Sequence, residues 1–449
     1  MFASCNALIP ERGDRIPPNG PGARRVRDRI NYTTIMPTNQ IVARTVQTGC
    51  CIVGGGPAGM MLGFLLARAG IEVLVLEKHA DFLRDFRGDT VHPSTLELLY
   101  ELGIVDDFLK RPHQELTEVG GLIDDFAVTI ADFSHLPTHC KFVALMPQWD
   151  FLNFIAEKAQ AYPQFHLRME ASVTGLLIEK GRVSGLRVDT PEGPLEVRSG
   201  LVIGADGRRS IVRQKATLEV LDLGAPIDVL WMRLTRKASD PGQTLGRVRA
   251  GKILVMLDRG YYWQCAYVIP KGGFDAIQQK GLPEFRKDLE SVAPFLRGRT
   301  DELKDWNDIK LLSVAVDRLV QWSRPGLLCI GDAAHAMSPI GGVGINLAVQ
   351  DAVAAANILW QPLLKRAGID EELQKIQARR EFPTRMTQGF QVFAHKRFLR
   401  PALGAQTRIR RLPLALRLLQ RWPALRRIPA RMLGLGFRPE HIRTPDVRR

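Results

Sequence analysis

The chain has 449 residues, 45% of them apolar and 24% charged, a globular composition that excludes disorder, collagen-like repeats and a small disulfide scaffold. Its formal charge of +15 would by itself point to nucleic acid or an anionic membrane. The charge is unevenly placed: residues 396–449 hold 15 basic and 2 acidic side chains, whereas 36–395 hold 41 and 42, so the body is electrostatically ordinary and the basicity belongs to a tail.

The six cysteines fall in no CxxC or Cys/His spacing, and Cys50, Cys51 and Cys329 lie in apolar runs that suit small buried hydrophobes. Neither a metal site nor a disulfide framework is expected. No run reaches the roughly 18 apolar residues of a membrane span, and the N-terminus lacks the pattern of a signal peptide. A cytoplasmic chain is expected.

Residues 1–46 mix Pro, Gly, Arg and Asn without periodicity, and Met36 is expected to be the natural start. From Cys50 the order is strand, glycine turn, helix and strand: Cys51–Val53 is apolar, Pro57–Ala69 is a helix ended by Gly70, and Ile71–Leu76 is a second strand closed by Glu77. This is a βαβ unit with a parallel pair. Helices are expected over 94–109 and 150–161, and alternating strands over 172–197. Residues 226–270 alternate and are rich in β-branched and aromatic side chains, which suits an antiparallel sheet. From Leu327 the pattern returns to strand, glycine loop and a helix of about 15 residues.

Three turns carry the chemistry. Gly54-Gly55-Gly56-Pro57-Ala58-Gly59 is a G-x-G-x-x-G between strand and helix. Gly54 permits the tight turn, Gly56 lets backbone approach a pyrophosphate, and Gly59 lets helix pack on sheet, while the helix N-terminus offers unpaired amides to the anion. Glu77 is placed to accept ribose hydroxyls. The second turn, Gly204-Ala205-Asp206-Gly207 running to Ser210, reads by itself as a helix cap. The third runs from Gly331-Asp332 through His335 to Pro339, Gly342, Gly344, Ile345 and Asn346.

In their order and separation, these turns make the chain resemble the class A FAD-dependent flavoprotein monooxygenases, the aromatic hydroxylases of the para-hydroxybenzoate hydroxylase type, over roughly residues 47–390. The resemblance implies an α/β fold. Its Rossmann-like FAD-binding domain (47–225 and 321–395) would be interrupted by a mostly antiparallel substrate domain (226–320), preceded by a disordered extension (1–46) and followed by a basic amphipathic helical tail (396–449). It implies that Gly54, Gly55, Gly56, Pro57, Ala58 and Gly59 meet the FAD pyrophosphate, and Glu77, with Lys78 beside it, the adenosine ribose. Arg87 would contact the phosphates, Gln148 the ribityl chain and Val173 adenine. Asp206 and Gly207 would face both FAD and a passing nicotinamide cofactor, Asp332 the ribityl hydroxyls, and Pro339, Gly342, Gly344, Ile345 and Asn346 the isoalloxazine loop. Ser210 is also drawn from cap to cofactor residue.

In that family NAD(P)H reduces FAD, O2 adds at C4a, and the hydroperoxide transfers oxygen to a small aromatic or lipophilic substrate. No catalytic residue is assigned. His335 is favoured as a hydrogen-bonded structural histidine over a proton shuttle, and His92, before Pro93, reads as a local cap. Asp89 is equally a solvated loop carboxylate or a polar group near the ring. Halogenation is disfavoured because Cys265–Pro270 lacks the two tryptophans of the flavin halogenase segment. Two alternatives stand beside hydroxylation: a FAD-dependent reductase or dehydrogenase of a lipid-like substrate, and a non-catalytic flavin-binding protein associated with membranes. The tail, with Ala415, Leu418, Leu419 and Trp422 at helical spacing and prolines at 413, 423 and 429, either packs on the body, contacts a membrane surface or binds an anionic partner. Nucleic acid is not expected, since no recognition fold accompanies the charge.

Overall fold

Arg44–Val53, Val73–Leu76 and Phe165–Arg168 lie side by side as parallel strands, with Gly193–Gly204 and Leu327–Cys329 parallel on the other flank of the first. Residues 44–83, 90–242, 245–405, 407–408 and 411–448 are described by the computed structural model; Met36, Arg87 and Asp89 lie outside them. Cys50, Cys51, Ile52, Leu201, Val202 and Ile203 are all fully buried, as strands covered on both faces must be. Ser172–Glu179 and Arg182–Thr190 extend the sheet as an antiparallel meander. The first strand begins at Arg44, so the expected boundary after residue 46 falls inside it.

The Pro57–Arg68 helix packs close to this sheet because a Cβ on Gly63 would meet Val75 Cγ2 at 2.8 Å. Beside it runs Gly344–Leu364, 21 residues rather than about 15. By length and mean hydropathy the stretch Ile340–Leu364 could cross a membrane, although polar residues interrupt it and most of it is buried in the core. Asn346, Gln350 and Asp351, all buried, mark it as a core helix with polar duties.

The second sheet has seven strands, in the order Lys310–Ser313, Ile227–Thr235, Tyr262–Pro270, Lys252–Asp258, Leu245–Arg249, Glu118–Ile123 and Phe126–Asp132. It is antiparallel except where Leu245–Arg249 meets Glu118–Ile123. The Glu118–Asp132 hairpin is thus recruited from outside the 226–320 stretch read as sheet. Alternation divides the faces: Met232, Met256, Trp263, Cys265 and Tyr267 pack on Phe285 and Leu289 of the Leu282–Val292 helix, whereas Trp231, Val255 and Leu257 face a cluster with Phe133, Leu136, Leu145 and Ala430.

Ala430 belongs to the tail. Among the described residues its two longest helices are Leu414–Arg421 and Arg427–Gly434, with prolines only at or before their first turns. Gln420 exchanges hydrogen bonds with the Thr129 backbone (3.3 and 2.9 Å), which seats the first helix against the Phe126–Asp132 strand. Trp422 does not join that face and stays 54% exposed. Beyond Arg438 the chain is an extended strap: Arg68 Nη1 donates to Thr444 O (2.8 Å), Asn357 Nδ2 to His441 O (2.8 Å), and the Ile442 amide to Glu101 (2.8 Å).

Candidate functional site

The three glycine turns leave the carboxyl ends of three adjacent parallel strands. Their ends are hydrogen-bonded in series: Gly54 N–H to Leu76 O (2.7 Å), Ala205 N–H to Val53 O (2.8 Å) and Ile330 N–H to Gly204 O (2.9 Å). Residues separated by more than 270 positions therefore line one edge, where open α/β sheets bind ligands.

In the first turn Gly54 has φ +106°, and a Cβ there would lie 2.4 Å from Ala205 O; one on Gly59 would lie 2.0 Å from Gly54 O. A Cβ on Gly56 would meet nothing within 4 Å. The helix that follows has no side-chain cap and no acidic residue in its first turn, so the amides of Ala58 and Gly59 face the open side. Glu77 braces this turn: its Oε2 accepts the Gly55 N–H (2.9 Å) and its Oε1 the His79 N–H (3.1 Å). Lys78 beside it is exposed. Val173, buried on the meander, follows Ala171, whose amide donates to Glu77 O (2.9 Å). Gln148 opens the Gln148–Ala159 helix and is half-buried.

The second turn differs. Ser210 Oγ accepts the Arg213 N–H (3.0 Å) and Asp206 Oδ2 the amides of Ile211 (2.7 Å) and Val212 (3.2 Å). Both residues are therefore caps of the short Ile211–Lys215 helix. Asp206 Oδ1, however, is buried with no hydrogen-bond partner, and burial pushes this carboxyl above the usual range. Gly207 (φ +82°) opens onto free space.

In the third turn Asp332 is 38% exposed at its side chain, 3.8 Å from Arg208 Nε of the second turn. Pro339 is exposed. Gly342 is clamped: Thr90 Oγ1 donates to its carbonyl (2.7 Å), and a Cβ there would lie 2.3 Å from that hydroxyl. Gly344 starts the long helix, uncapped by any side chain and with no acidic residue in its first turn. Ile345 is buried, and Asn346 Oδ1 accepts the Thr95 hydroxyl (2.7 Å) and the His92 N–H (3.3 Å) while its Nδ2 is buried and unbonded.

These features fit a bound dinucleotide flavin. Two uncapped helix N-termini offer amides to anionic groups, and two orphaned polar atoms, Asp206 Oδ1 and Asn346 Nδ2, await partners that a buried site must supply. Sequence reasoning missed Thr90 and Thr95 and read His92 only as a local cap. Backbone at His92 starts a helix, but its ring caps nothing. The ring is buried beneath Gly341, Gly342 and Leu433, where burial pushes its pKa down to about 4 and keeps it neutral at physiological pH. A proline-flanked histidine in a sequence carries no sign of that burial. His335 is bonded through Nε2 to Asp351 (2.6 Å). Above the Gly341–Gly342 loop, Leu433 of the tail packs with Trp231, Val255, Leu257, Phe133 and Leu136 to form an apolar wall.

The family described as "FAD binding domain" matches residues 47–389. The 6-methylpretetramide 4-monooxygenase of Streptomyces rimosus is 33% identical over 408 residues, covering 88% of this chain and 94% of that protein. The rifampicin monooxygenase of Streptomyces venezuelae is 29% identical over 319 residues, covering 69% of this chain and 63% of a longer protein. Among solved structures, PqsL of Pseudomonas aeruginosa, a probable FAD-dependent monooxygenase, superposes with a TM-score of 0.67 at 20% identity over 80% of this chain and 99% of that one. The order of the turns, the family match and the relative that shares a third of its residues along nearly the whole length together place this chain in the family of FAD-dependent class A flavoprotein monooxygenases.

Proposed function

We propose that this FAD-dependent, NAD(P)H-using monooxygenase hydroxylates a flat aromatic substrate larger than a single ring, bound between the second sheet and the Gly341–Gly342 loop. The observation that carries this reading is the apolar wall beside that loop, where Trp231, Val255 and Leu433 stay half-buried over a packed base of Phe133, Leu136 and Leu257. Such a wall favours burial of a flat apolar body at about 25 cal/mol per Å², and the substrate named for the 33% identical relative, 6-methylpretetramide, guides the choice of class.

FAD, when bound, accepts hydride and activates O2. The protein's residues position it. The amides after Gly55, at the N-terminus of the Pro57–Arg68 helix, meet the pyrophosphate with Pro57, Ala58 and Gly59, and Arg87 adds a cation. Glu77 braces the turn and faces the ribose, with Lys78 at its rim and Val173 near adenine. Asp206 Oδ1, Gly207, Asp332 and Gln148 serve the polyol chain. The loop from Pro339 through Gly342, Gly344, Ile345 and Asn346 borders the ring, where the long helix N-terminus favours negative charge. Leu433 and the second sheet exclude water.

Yellow purified protein, NAD(P)H oxidation stimulated by 6-methylpretetramide, O2 consumption and a product heavier by one oxygen are the expected results. NAD(P)H oxidation with no oxygen in the product would make the protein a reductase instead. The reading also keeps the enzyme cytoplasmic, with peripheral membrane contact through the tail, where Leu414 (66%), Trp422 (54%) and Ile428 (61%) stand exposed among arginines. Anionic vesicles should retain the full chain and release one ending at His395; equal retention removes that contact.

A further inference from the structure

Asp351, in the middle of the long core helix, is fully buried and accepts three hydrogen bonds: from the Gly331 amide (3.1 Å) and His335 Nε2 (2.6 Å) on Oδ2, and from Arg380 Nε (2.9 Å) on Oδ1. Arg380, 1% exposed, continues to Glu440 Oε1 (3.5 Å) and to Arg438 O (3.3 Å) in the C-terminal strap. Glu440 is itself 3% exposed, is held by Arg379 Nε through both oxygens (2.8 and 2.9 Å), and donates its amide to Gln350. Two arginines thus balance two carboxylates along a path from strap to glycine turn. Burial pushes the Asp351 carboxyl up, but His335 and Arg380 outweigh it and hold it below the ordinary aspartate range.

Buried ions cost several kcal/mol each to desolvate, and apolar side chains of the same volume would hold the helices together as well. What apolar packing cannot do is fix a peptide plane. Gly331 has φ +58° and is wedged so that a Cβ would lie 3.1 Å from Ala58 Cβ and 3.3 Å from Ala348 Cβ. Its amide is aimed by Asp351, and the next residue is Asp332.

Resting on the flavin reading above, we propose that Asp351 is a positioning residue for the cofactor: it orients the Gly331 amide, and through it the Asp332 carboxylate toward the flavin polyol, while Glu440 in the strap holds Asp351 through Arg380. The strap thereby governs flavin retention although it lies behind the turn.

Wild-type holoenzyme, Asp351→Asn, Asp351→Glu, Glu440→Gln and the Asp351→Asn/Glu440→Gln double variant are stripped of flavin. Each is titrated with FAD by fluorescence quenching, with apo-protein melting followed in parallel. The expected Kd for FAD rises about 10-fold or more in Asp351→Asn and about 3- to 10-fold in Glu440→Gln, the double variant being no worse than Asp351→Asn within about twofold, since both act through one path. Asp351→Glu should recover part of the affinity. His441→Ala, on the same strap but outside the charge path, should lower the melting temperature and leave the Kd unchanged. Wild-type FAD affinity in folded Asp351→Asn and Glu440→Gln, with only melting affected, overturns the inference. If Asp351→Asn yields no folded protein, Glu440→Gln against His441→Ala decides: equal Kd values overturn it. Wild-type protein that takes up no FAD overturns the underlying reading, and the inference with it.

Discussion

At the first turn, two glycines three residues apart face opposite demands. Gly59 is pressed on the Gly54 carbonyl, where an added Cβ would sit at 2.0 Å, while Gly56 borders open space at an ordinary φ of −75°. Gly59→Ala must move backbone, so its unfolding temperature should fall together with flavin content. Gly56→Ala meets no protein atom; its apo form should melt within about 2 °C of wild type, since neutral surface changes stay near ±0.5 kcal/mol, whereas its FAD Kd should rise about 10-fold or more if backbone must approach the pyrophosphate. Wild-type FAD affinity in Gly56→Ala would remove the first turn from the cofactor site. The pattern G-x-G-x-x-G was legible in the sequence because Gly54 and Gly59 answer local backbone needs, the positive φ of the one and the close packing of the other. The capping by Ser210 and Asp206 was legible too; what the sequence did not record is the unbonded Asp206 Oδ1, which separates Asp206 from a cap alone.

The elements of the second sheet are held by a clamp that no periodicity announces. Asp240, in the segment after Thr235, receives Arg299 through Nη1 (2.5 Å) and Nη2 (2.8 Å), Trp263 Nε1 (2.8 Å) and the Lys237 amide (3.0 Å). Burial alone would raise its carboxyl, but the Arg299 fork, the Lys237 amide and the indole outweigh it and hold the pKa at about 2. A depressed carboxyl contributes stability that is fully present above the unfolded value, near 4, and is lost as pH falls toward about 2. Asp240→Asn should therefore cost about 2–4 kcal/mol at pH 7, toward the lower end of what breaking a buried pair costs, and its deficit against wild type should shrink at pH 3. Melting curves of the pair at both pH values check this; a deficit independent of pH would mean the charge contributes nothing. Strand character over 226–270 was legible from alternation, but the Glu118–Asp132 hairpin was not, because pairing with Leu245–Arg249 is set by distant edges rather than by its own pattern.

Over the whole molecule, the tail closes the structure. Its Arg427–Gly434 helix covers Phe133 and Leu136, a Cβ on Gly434 having only 2.6 Å to Leu136 Cδ1, and its strap ties Arg68, Glu101, Asn357 and Arg380 on different helices. A chain ending at Ala405 should lose at least about 3–5 kcal/mol, the scale of one broken buried ion pair, a large share of the 5–15 kcal/mol typical of folded proteins. A lower unfolding midpoint and dye-accessible apolar surface are the expected readouts. An unchanged midpoint would make the tail an appendage.

The sequence by itself determined the strand, turn and helix grammar, the three cofactor-type turns and the confinement of positive charge to one end. Each depends on residues within a few positions of one another, on glycine φ freedom and on apolar spacing. Only the tertiary structure decided that these turns meet along one sheet edge, that Asp351 lies beneath one of them, that a helix apolar enough for a membrane is core, and that the basic tail folds back. Those outcomes rest on pairings across tens to hundreds of residues, where a carboxylate's partner is chosen by burial and packing that no local pattern records.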